Sequence, residues 1–305
     1  MDLSVNVGNS SFRNPVILAS GTAGFGRELA EYIDFGKIGG ISSKGLTCLP
    51  REGNPGCRTA EVRGGMLNSV GLQNPGVDAF LETELDFMRT LNTKVIVNVA
   101  GHSTDDYVEM VEKLNTASDK IDILELNLSC PNVKEGCMSI GTDAQQIDAL
   151  VSNLRKRTDL PLWVKLTPNV TSVTDMAKAA EYSGADAIVL INTLLAMRID
   201  IRTKRPVLHN NTGGLSGPAI KPVAIRMVSD CYRAVSIPIV GLGGIESAED
   251  ILEFIIAGAS AVQIGTSTLV HPGISQKLAE ELPACMKSYH IADLKELTGS
   301  LQYFE

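Results

Sequence analysis

The sequence is poor in aromatic residues and has no basic run, and both absences limit what the protein binds. Aromatic residues make up 5% of the 305 residues, and the formal net charge is −8. Nucleic-acid-binding proteins use aromatic stacking platforms and clustered Lys and Arg side chains, so we expect no nucleic-acid partner. A chain with this charge balance is also not one that an anionic membrane surface attracts.

Long apolar runs and signal-peptide features are also missing. No run approaches the ~20 apolar residues that span a bilayer. The first residues, 1–6, lack the charged segment followed by an apolar segment that marks a secretory signal. We therefore expect a cytoplasmic protein that does not contact membranes.

The cysteines show no spacing that would form a metal site. None of the six forms a Cys-x-x-Cys pair. In a chain of this size, scattered cysteines are typical of free cytosolic thiols rather than of a disulfide framework or an iron–sulfur site. We expect no metal in this chain. The cysteines are Cys48, Cys57, Cys130, Cys137, Cys231 and Cys285.

Eight short apolar runs alternate with amphipathic stretches along the chain. The runs show little alternation of polar and apolar residues, which is typical of parallel strands buried on both faces. This order predicts an α/β fold, a (β/α)8 TIM barrel, as one domain over residues 1–305. The predicted strands are 15–20, 40–45, 94–99, 123–128, 162–166, 187–192, 237–241 and 261–265.

Capping residues mark several helix ends between these strands. A capping box at Thr142-x-x-Gln145 predicts one helix start, and Ser172 and Ser247 each precede an Asp by three residues in the same way. Gly184 and Gly258 suit the corresponding C-terminal ends.

Four segments fall outside this regular alternation. The first ~14 residues predict a short N-terminal β-hairpin that closes the bottom of the barrel. Long insertions follow strands 2, 4 and 6, at about 46–73, 129–142 and 194–217. The loops after barrel strands form the active site at the C-terminal face, so we expect these insertions to be functional.

Two glycine-rich turns follow the last two strands. Gly241-Leu-Gly-Gly244 follows strand 7, and Gly265-Thr266 ends strand 8. Glycines let backbone N–H groups approach a phosphate closely, and strands 7 and 8 are where barrels usually hold phosphate. The alternative interpretation is a pair of ordinary tight turns.

Two lysines lie in or at the end of apolar strands. Lys165 is flanked by Trp163, Val164 and Leu166, and burying an ammonium there is costly without a partner. It could stabilise an anion, act as a Schiff-base nucleophile, or extend its tip to solvent. Lys44 raises the same question at the end of strand 2.

Asparagines collect where the predicted strands end. An amide offers a donor and an acceptor without charge, so converging asparagines suit a flat ligand with alternating C=O and N–H groups. The alternative is a role in turns, which fits Asn132 and Asn74 better than the strand residues. The cluster comprises Asn68, Asn98, Asn127, Asn132 and Asn192.

Cys130 follows strand 4 within Asn-Leu-Ser-Cys-Pro-Asn, a polar setting for a cysteine. A free cysteine is more often a small buried hydrophobe than a catalyst. His102 after strand 3 is the main rival as a catalytic base, and His209 lies in the third long loop. Cys137, in the same loop as Cys130, could cap the site or lie on the surface.

Taken together, these motifs resemble those of the class 1 dihydroorotate dehydrogenases, the soluble flavin enzymes of pyrimidine (UMP) biosynthesis. The resemblance covers essentially the whole chain, and its signatures are 42–47, 68–76, 127–132 and 241–244, in the family's order. The segments 50–55 and 212–222 resemble the NAD-linked B type. The membrane-linked class 2 has an N-terminal extension and a serine base, and we expect neither in this chain.

The resemblance implies a reaction and a set of roles. Cys130 would take the C5 proton of (S)-dihydroorotate, and FMN would take the C6 hydride to give orotate. FMN would be bound by Ser20, Lys44, Gly45, Asn98, Asn127, Lys165, Ile191, Gly217, Gly243, Gly244, Gly265 and Thr266. The substrate would be bound by Lys44, Asn68, Ser69, Val70, Gly71, Leu72, Asn127, Asn132, Asn192 and Thr193. The chain departs from the family pattern at His102 and at Gly136-Cys137.

The B type also implies a partner. Electrons would pass to NAD through an iron–sulfur subunit that carries FAD and a [2Fe-2S] cluster, with a homodimer of catalytic chains inside a heterotetramer.

Four alternative functions remain open: a fumarate-reducing A type, a related FMN-dependent dihydropyrimidine dehydrogenase, a Schiff-base aldolase that uses Lys165, and an FMN-binding scaffold subunit without turnover.

Overall fold

Eight parallel strands form a closed barrel in the computed structural model, which describes residues 1–128 and 140–304. Each strand pairs with the next in chain order, and the eighth pairs with the first. The strands are β1 (Val16–Leu18), β2 (Gly40–Ser42), β3 (Lys94–Val99), β4 (Ile123–Asn127), β5 (Leu162–Lys165), β6 (Ala187–Leu190), β7 (Ile239–Leu242) and β8 (Ala259–Ile264). The predicted barrel is confirmed.

The barrel strands are buried on both faces, which is why their sequences read as continuous apolar runs. All five residues of β4 and five of the six residues of β3 are buried. Helices cover the outer face of a parallel barrel while side chains fill its interior. The predicted strand limits differ from those observed by a few residues, since strand ends are set by hydrogen-bond pairing that composition does not show.

Helices lie between the strands and around the barrel. Among the described residues, no helix has both the length and the apolar character needed to cross a bilayer. The helices are Val77–Ala79, which continues through a π-helical turn (Phe80–Glu84) into Leu85–Thr90, then Thr104–Asn115, Ala144–Arg155, Val173–Tyr182, Lys221–Tyr232, Ala248–Ala257, Thr266–Val270, Ile274–Ser288 and Leu294–Leu297. Short 3-10 turns lie at Phe35–Lys37, Ser118–Lys120 and Pro218–Ile220.

Two of the three predicted helix starts are confirmed, and one is wrong. Ser247 forms a complete capping box with Asp250, and the Ser172 hydroxyl accepts a hydrogen bond from the Asp175 N–H. The third helix is capped by Asp143 instead of Thr142, because the Asp143 carboxylate accepts hydrogen bonds from the N–H groups two and three residues later.

The N-terminal hairpin closes the bottom of the barrel, as predicted. Its strands, Val5–Val7 and Ser10–Phe12, pair antiparallel. The Phe12 ring is buried, and its centroid lies 5.8 Å from that of Trp163 in β5. Gly8 in the turn packs against the backbone carbonyl of Asp186, just before β6. The hairpin therefore covers the end where the strands begin.

Two of the long insertions join into a second sheet, which we call the lid sheet. It contains Thr59–Val62 and Gly65–Asn68 from the first insertion, and Leu194–Ala196 and Gly213–Ser216 from the third. The two insertions pair antiparallel, with Asn68 opposite Gly214. A separate two-stranded hairpin, Ile199–Asp200 with Arg205–Pro206, extends from the third insertion. Most of the middle insertion, 129–139, lies outside the described residues.

Candidate functional site

A cleft at the C-terminal ends of the barrel strands is bounded by the lid sheet on one side. It encloses about 1170 Å³ of empty space, part of which is continuous with solvent. Ligand sites of barrels and of proteins generally occur in clefts of this kind. The predicted residues that line it are Ser20, Lys44, Gly45, Asn68, Val70, Gly71, Leu72, Asn127, Lys165, Ile191, Asn192, Thr193, Gly217, Gly243, Gly244, Gly265 and Thr266.

Three asparagines form a hydrogen-bonded chain that leads from the cleft into the barrel. Asn192 Nδ2 donates to Asn127 Oδ1 at 3.4 Å, and Asn127 Nδ2 donates to Asn98 Oδ1 at 3.4 Å. Asn98 is fully buried and does not line the cleft. The Tyr107 hydroxyl donates to the backbone carbonyl of Asn127 at 2.8 Å and holds the end of β4. Asn98 therefore supports the cleft through Asn127.

Lys165 lines the floor of the cleft with a side chain that is only 5% exposed. Its Nζ donates to Gln263 Oε1 at 3.4 Å and lies 3.8 Å from Glu125 Oε1. The ammonium is thus paired inside the barrel. The structure rules out a lysine that extends to solvent.

The glycine-rich turns bring backbone close to the cleft. Gly217 and Gly244 have φ angles of 98° and 75°, in the left-handed region that glycine adopts most easily. A Cβ on Gly244 would lie 2.7 Å from the Gly217 carbonyl oxygen, and a Cβ on Gly217 would lie 2.8 Å from Gly65 Cα. These glycines therefore allow three backbone segments to meet at one wall.

Behind this wall, Lys221 forms an ion pair with Asp250. Burial by itself would raise the pKa of the Asp250 carboxyl. Hydrogen bonds from Lys221 and from the N–H groups of Glu246 and Ser247 outweigh burial and hold that pKa below its usual range. The pair ties the helix Lys221–Tyr232 to the helix that follows β7.

The loop after Asn68 has an unusual backbone conformation. Gly71 and Leu72 have φ angles of 79° and 56°, and a positive φ is uncommon for a residue other than glycine. Asn68, Val70, Gly71 and Leu72 line the cleft. Ser69 is fully buried and does not line it, and its hydroxyl has no hydrogen-bond partner within the described structure. Its predicted contact with a ligand stays a prediction.

The two histidines named as rival bases lie away from the cleft. His102 lines a separate groove with Cys48 and Arg51, and it contacts the Arg51 guanidinium. His209 packs against Gly56 in the long loops. Cys130, Asn132 and Cys137 lie outside the described residues. In the described structure, neither histidine is among the residues that line the cleft.

The sequence profile of the dihydroorotate dehydrogenase family matches residues 2–286. Two similar proteins are named dihydroorotate dehydrogenase B (NAD(+)), catalytic subunit: one from Alkaliphilus metalliredigens, 51% identical over 99% of both chains, and one from Geotalea uraniireducens, 52% identical over 98% of both. A crystal structure of the Eimeria tenella enzyme with ferulenol is 25% identical, has a TM-score of 0.82, and covers 98% of this chain and 88% of that one.

This chain belongs to the dihydroorotate dehydrogenase family. The residues in or beside the cleft that were not predicted from the sequence include two groups. Thr59, Met66 and Ser216 reach the cleft from the lid sheet, which could not be foreseen as a sheet. Glu125 and Gln263 lie in the barrel interior beside Lys165, and a polar residue two positions before Asn127 in an apolar strand is the signal that could have found Glu125.

Proposed function

We propose that this chain is the catalytic subunit of a B-type dihydroorotate dehydrogenase, which oxidises (S)-dihydroorotate to orotate in pyrimidine biosynthesis. The observation that carries the proposal is the cleft at the ends of the barrel strands. Its lining brings together the glycine turns at Gly217 and Gly243-Gly244, the buried and paired Lys165, and the asparagines Asn127 and Asn192. The full-length similarity to proteins of that name supports the same conclusion.

The residues around the cleft fit FMN. At the wall formed by Gly217, Gly243 and Gly244, a Cβ at each glycine would come within 2.8 Å of a neighbouring protein atom, so the packing of this wall requires glycine. The bare backbone that results would present its N–H groups to a phosphate. Gly265 and Thr266 complete that wall. We assign FMN binding to these residues and to Ser20, Lys44, Gly45, Asn98, Asn127, Lys165 and Ile191. When bound, FMN would accept the hydride from C6 of the substrate.

The polar side chains of the cleft also suit dihydroorotate, an anionic ring with several amide and carbonyl groups. Lys44 offers a positive charge for the carboxylate. Asn127 and Asn192 offer donors and acceptors for the ring amides, and their mutual hydrogen bond holds them in one arrangement. We assign substrate binding to these residues, to Thr193, to the loop 68–72 and to Asn132.

We assign the proton transfer to Cys130, which would take the C5 proton of the substrate as general base. Lys165 would stabilise negative charge that develops next to the cleft floor. Its pairing with Glu125 and Gln263 favours this electrostatic role over a Schiff-base aldolase, since a nucleophilic amine needs a free lone pair.

The partner and the acceptor follow from the B type. We propose that a separate iron–sulfur subunit with FAD and a [2Fe-2S] cluster passes electrons to NAD, that two catalytic chains form a homodimer within a heterotetramer, and that the complex is cytoplasmic. We also propose that residues 1–305 form one FMN-binding domain. The name "catalytic subunit" of the relatives supports a second subunit.

Anaerobic flavin reduction tests this function. We expect a yellow protein whose flavin absorbance is bleached by dihydroorotate but not by dihydrouracil, which lacks the carboxylate for Lys44. Cys130→Ser should slow the bleaching strongly and leave FMN bound. A colourless protein that cannot be reconstituted with FMN would refute the proposal. Turnover with NAD only in the presence of an iron–sulfur partner would identify the B type, and turnover with fumarate alone would identify the A type.

A further inference from the structure

Glu125 is a buried charged residue that the proposed reaction does not use. It lies in β4, and its side chain is fully buried. Burying a carboxylate is costly unless hydrogen bonds satisfy it. Ser42 Oγ donates to its Oε1 at 3.0 Å, Asn98 Nδ2 donates to the same oxygen at 2.6 Å, and Gln263 Nε2 donates to Oε2. Three other strands of the barrel, β2, β3 and β8, therefore converge on this one side chain of β4.

The first connection from Glu125 reaches Lys165. The ammonium lies 3.8 Å from Glu125 Oε1, and it also donates to the oxygen of Gln263 at 3.4 Å. A carboxylate can only accept hydrogen bonds, so the NH₂ of Gln263 must face Glu125 and its oxygen is left to face Lys165. Glu125 therefore positions Lys165 in two ways. Its negative charge attracts the ammonium directly, and its hydrogen bond with Gln263 turns the Gln263 oxygen towards Lys165.

The second connection reaches the cleft through the asparagines. Because Glu125 accepts from Asn98, the Asn98 oxygen is free to accept from Asn127, and Asn127 in turn accepts from Asn192. Asn98 and Asn127 each donate towards the carboxylate and accept from the amide nearer the cleft, whereas the Asn192 oxygen accepts from the Thr193 N–H at 2.8 Å. The donor direction of Asn98 and Asn127 is therefore determined at the buried end, and it matches the orientation of Asn192.

We propose that Glu125 is a positioning residue that fixes the ammonium of Lys165 and offsets its charge at the cleft floor, and that sets the donor direction of Asn98 and Asn127. The proposal rests on the proposed function, since it makes Glu125 the residue that tunes the electrostatic potential felt by FMN. Glu125 does not line the cleft, so it acts through Lys165.

The reduction potential of bound FMN tests this role without measuring turnover. Glu125→Gln keeps the size of the side chain but removes the negative charge, so the charge of Lys165 is no longer offset. At pH 6.5 we expect the equilibrium to shift at least tenfold towards reduced flavin, which is about 30 mV for a two-electron couple. Ser42→Ala is the matched control, because it removes one hydrogen bond to Glu125 and keeps the charge. It should shift the equilibrium less than threefold.

A double variant shows whether the effect passes through Lys165. In a Lys165→Met background only the direct effect of the Glu125 charge on the flavin remains, so Glu125→Gln should shift the potential less than it does with Lys165 present. A shift under threefold in the single variant, a shift towards oxidised flavin, or an undiminished shift in the Lys165→Met background would each overturn the proposal. If Glu125→Gln does not fold, Glu125→Asp tests the same role, because the shorter side chain moves the carboxylate away from Lys165. It should shift the equilibrium in the same direction by more than Ser42→Ala does, and a shift no larger than that of Ser42→Ala would overturn the proposal.

The outcome for wild-type protein separates the two proposals. A wild-type protein that takes up no FMN refutes the proposed function and the role of Glu125 with it. A wild-type protein that takes up FMN and is reduced by dihydroorotate, but whose potential does not respond to Glu125→Gln, refutes the role of Glu125 alone.

Discussion

Replacing Gly244 with alanine should weaken FMN binding much more than it weakens the fold. Gly244 has a φ of 75°, and a left-handed conformation costs an L-residue roughly 1–2 kcal/mol. The new Cβ would also lie 2.7 Å from the Gly217 carbonyl oxygen and 3.0 Å from Pro218 Cα. Both neighbours are backbone atoms and cannot rotate away, so the wall of the cleft must shift.

The size of the effect follows from the clash. Overpacking of this kind costs about 1–3 kcal/mol when the surroundings cannot relax. Without ligand, the turn can move outwards and release part of this strain, whereas FMN requires the turn in its original position. If the strain appears in binding, the dissociation constant of FMN rises about 5- to 150-fold, since about 1.4 kcal/mol corresponds to a factor of ten.

Quenching of FMN fluorescence by the apoprotein measures this affinity, and urea unfolding measures the stability. Gly8→Ala is the matched control. Gly8 has a φ of 60°, its Cβ would meet the Asp186 carbonyl at an ordinary 3.4 Å, and it lies at the other end of the barrel. It should lose stability and retain FMN affinity. Wild-type affinity in Gly244→Ala, or an equal loss of affinity in Gly8→Ala, would refute the reasoning.

Three further predictions concern buried groups. Tyr107→Phe removes the donor to the buried Asn127 carbonyl and should lower the free energy of unfolding by about 1–3 kcal/mol in urea titrations. Burial, with the nearby Asp230 charge, raises the pKa of the Cys231 thiol to about 12, so at pH 8 iodoacetamide should alkylate the exposed Cys57 and leave Cys231 unmodified in peptide mass spectra; equal labelling of both would contradict this. The lowered pKa of Asp250 means that its stabilising contribution is present above the unfolded pKa of about 3.9 and is lost as the pH falls through the lower folded value. The stability difference between wild type and Asp250→Asn should therefore shrink in acid, and a difference that grows below pH 4 would contradict the assignment.

The fold could be predicted well because its signals are local. A parallel strand buried on both faces needs a continuous apolar run, and all eight runs became barrel strands. Helix caps depend on two or three residues, and Ser172 and Ser247 were recognised correctly. The error at Thr142 has the same origin, because Asp143 beside it is an equally good cap and only the backbone geometry selects between them.

The candidate site could be predicted in part. Residues at strand ends reach the cleft because the barrel brings all C-terminal strand ends to one face, and this holds for Lys44, Asn127, Lys165 and Asn192. Inside the loop 68–72, the sequence could not tell which side chains face the cleft. Ser69 is buried and does not line the cleft, although Asn68 and Val70 on either side of it do.

The sequence by itself determined the order of the barrel, the hairpin at its base and the identity of most cleft residues, because each depends on local patterns or on motifs within one segment. The tertiary structure decided the rest. The lid sheet requires Asn68 to pair with Gly214, two residues that are far apart in the chain. Glu125 meets Asn98 and Lys165 because the neighbouring strands β3 and β5 align their inward residues with it, and it meets Gln263 of β8 across the closed barrel interior. Such contacts depend on strand register and barrel closure, which no single segment of the chain encodes.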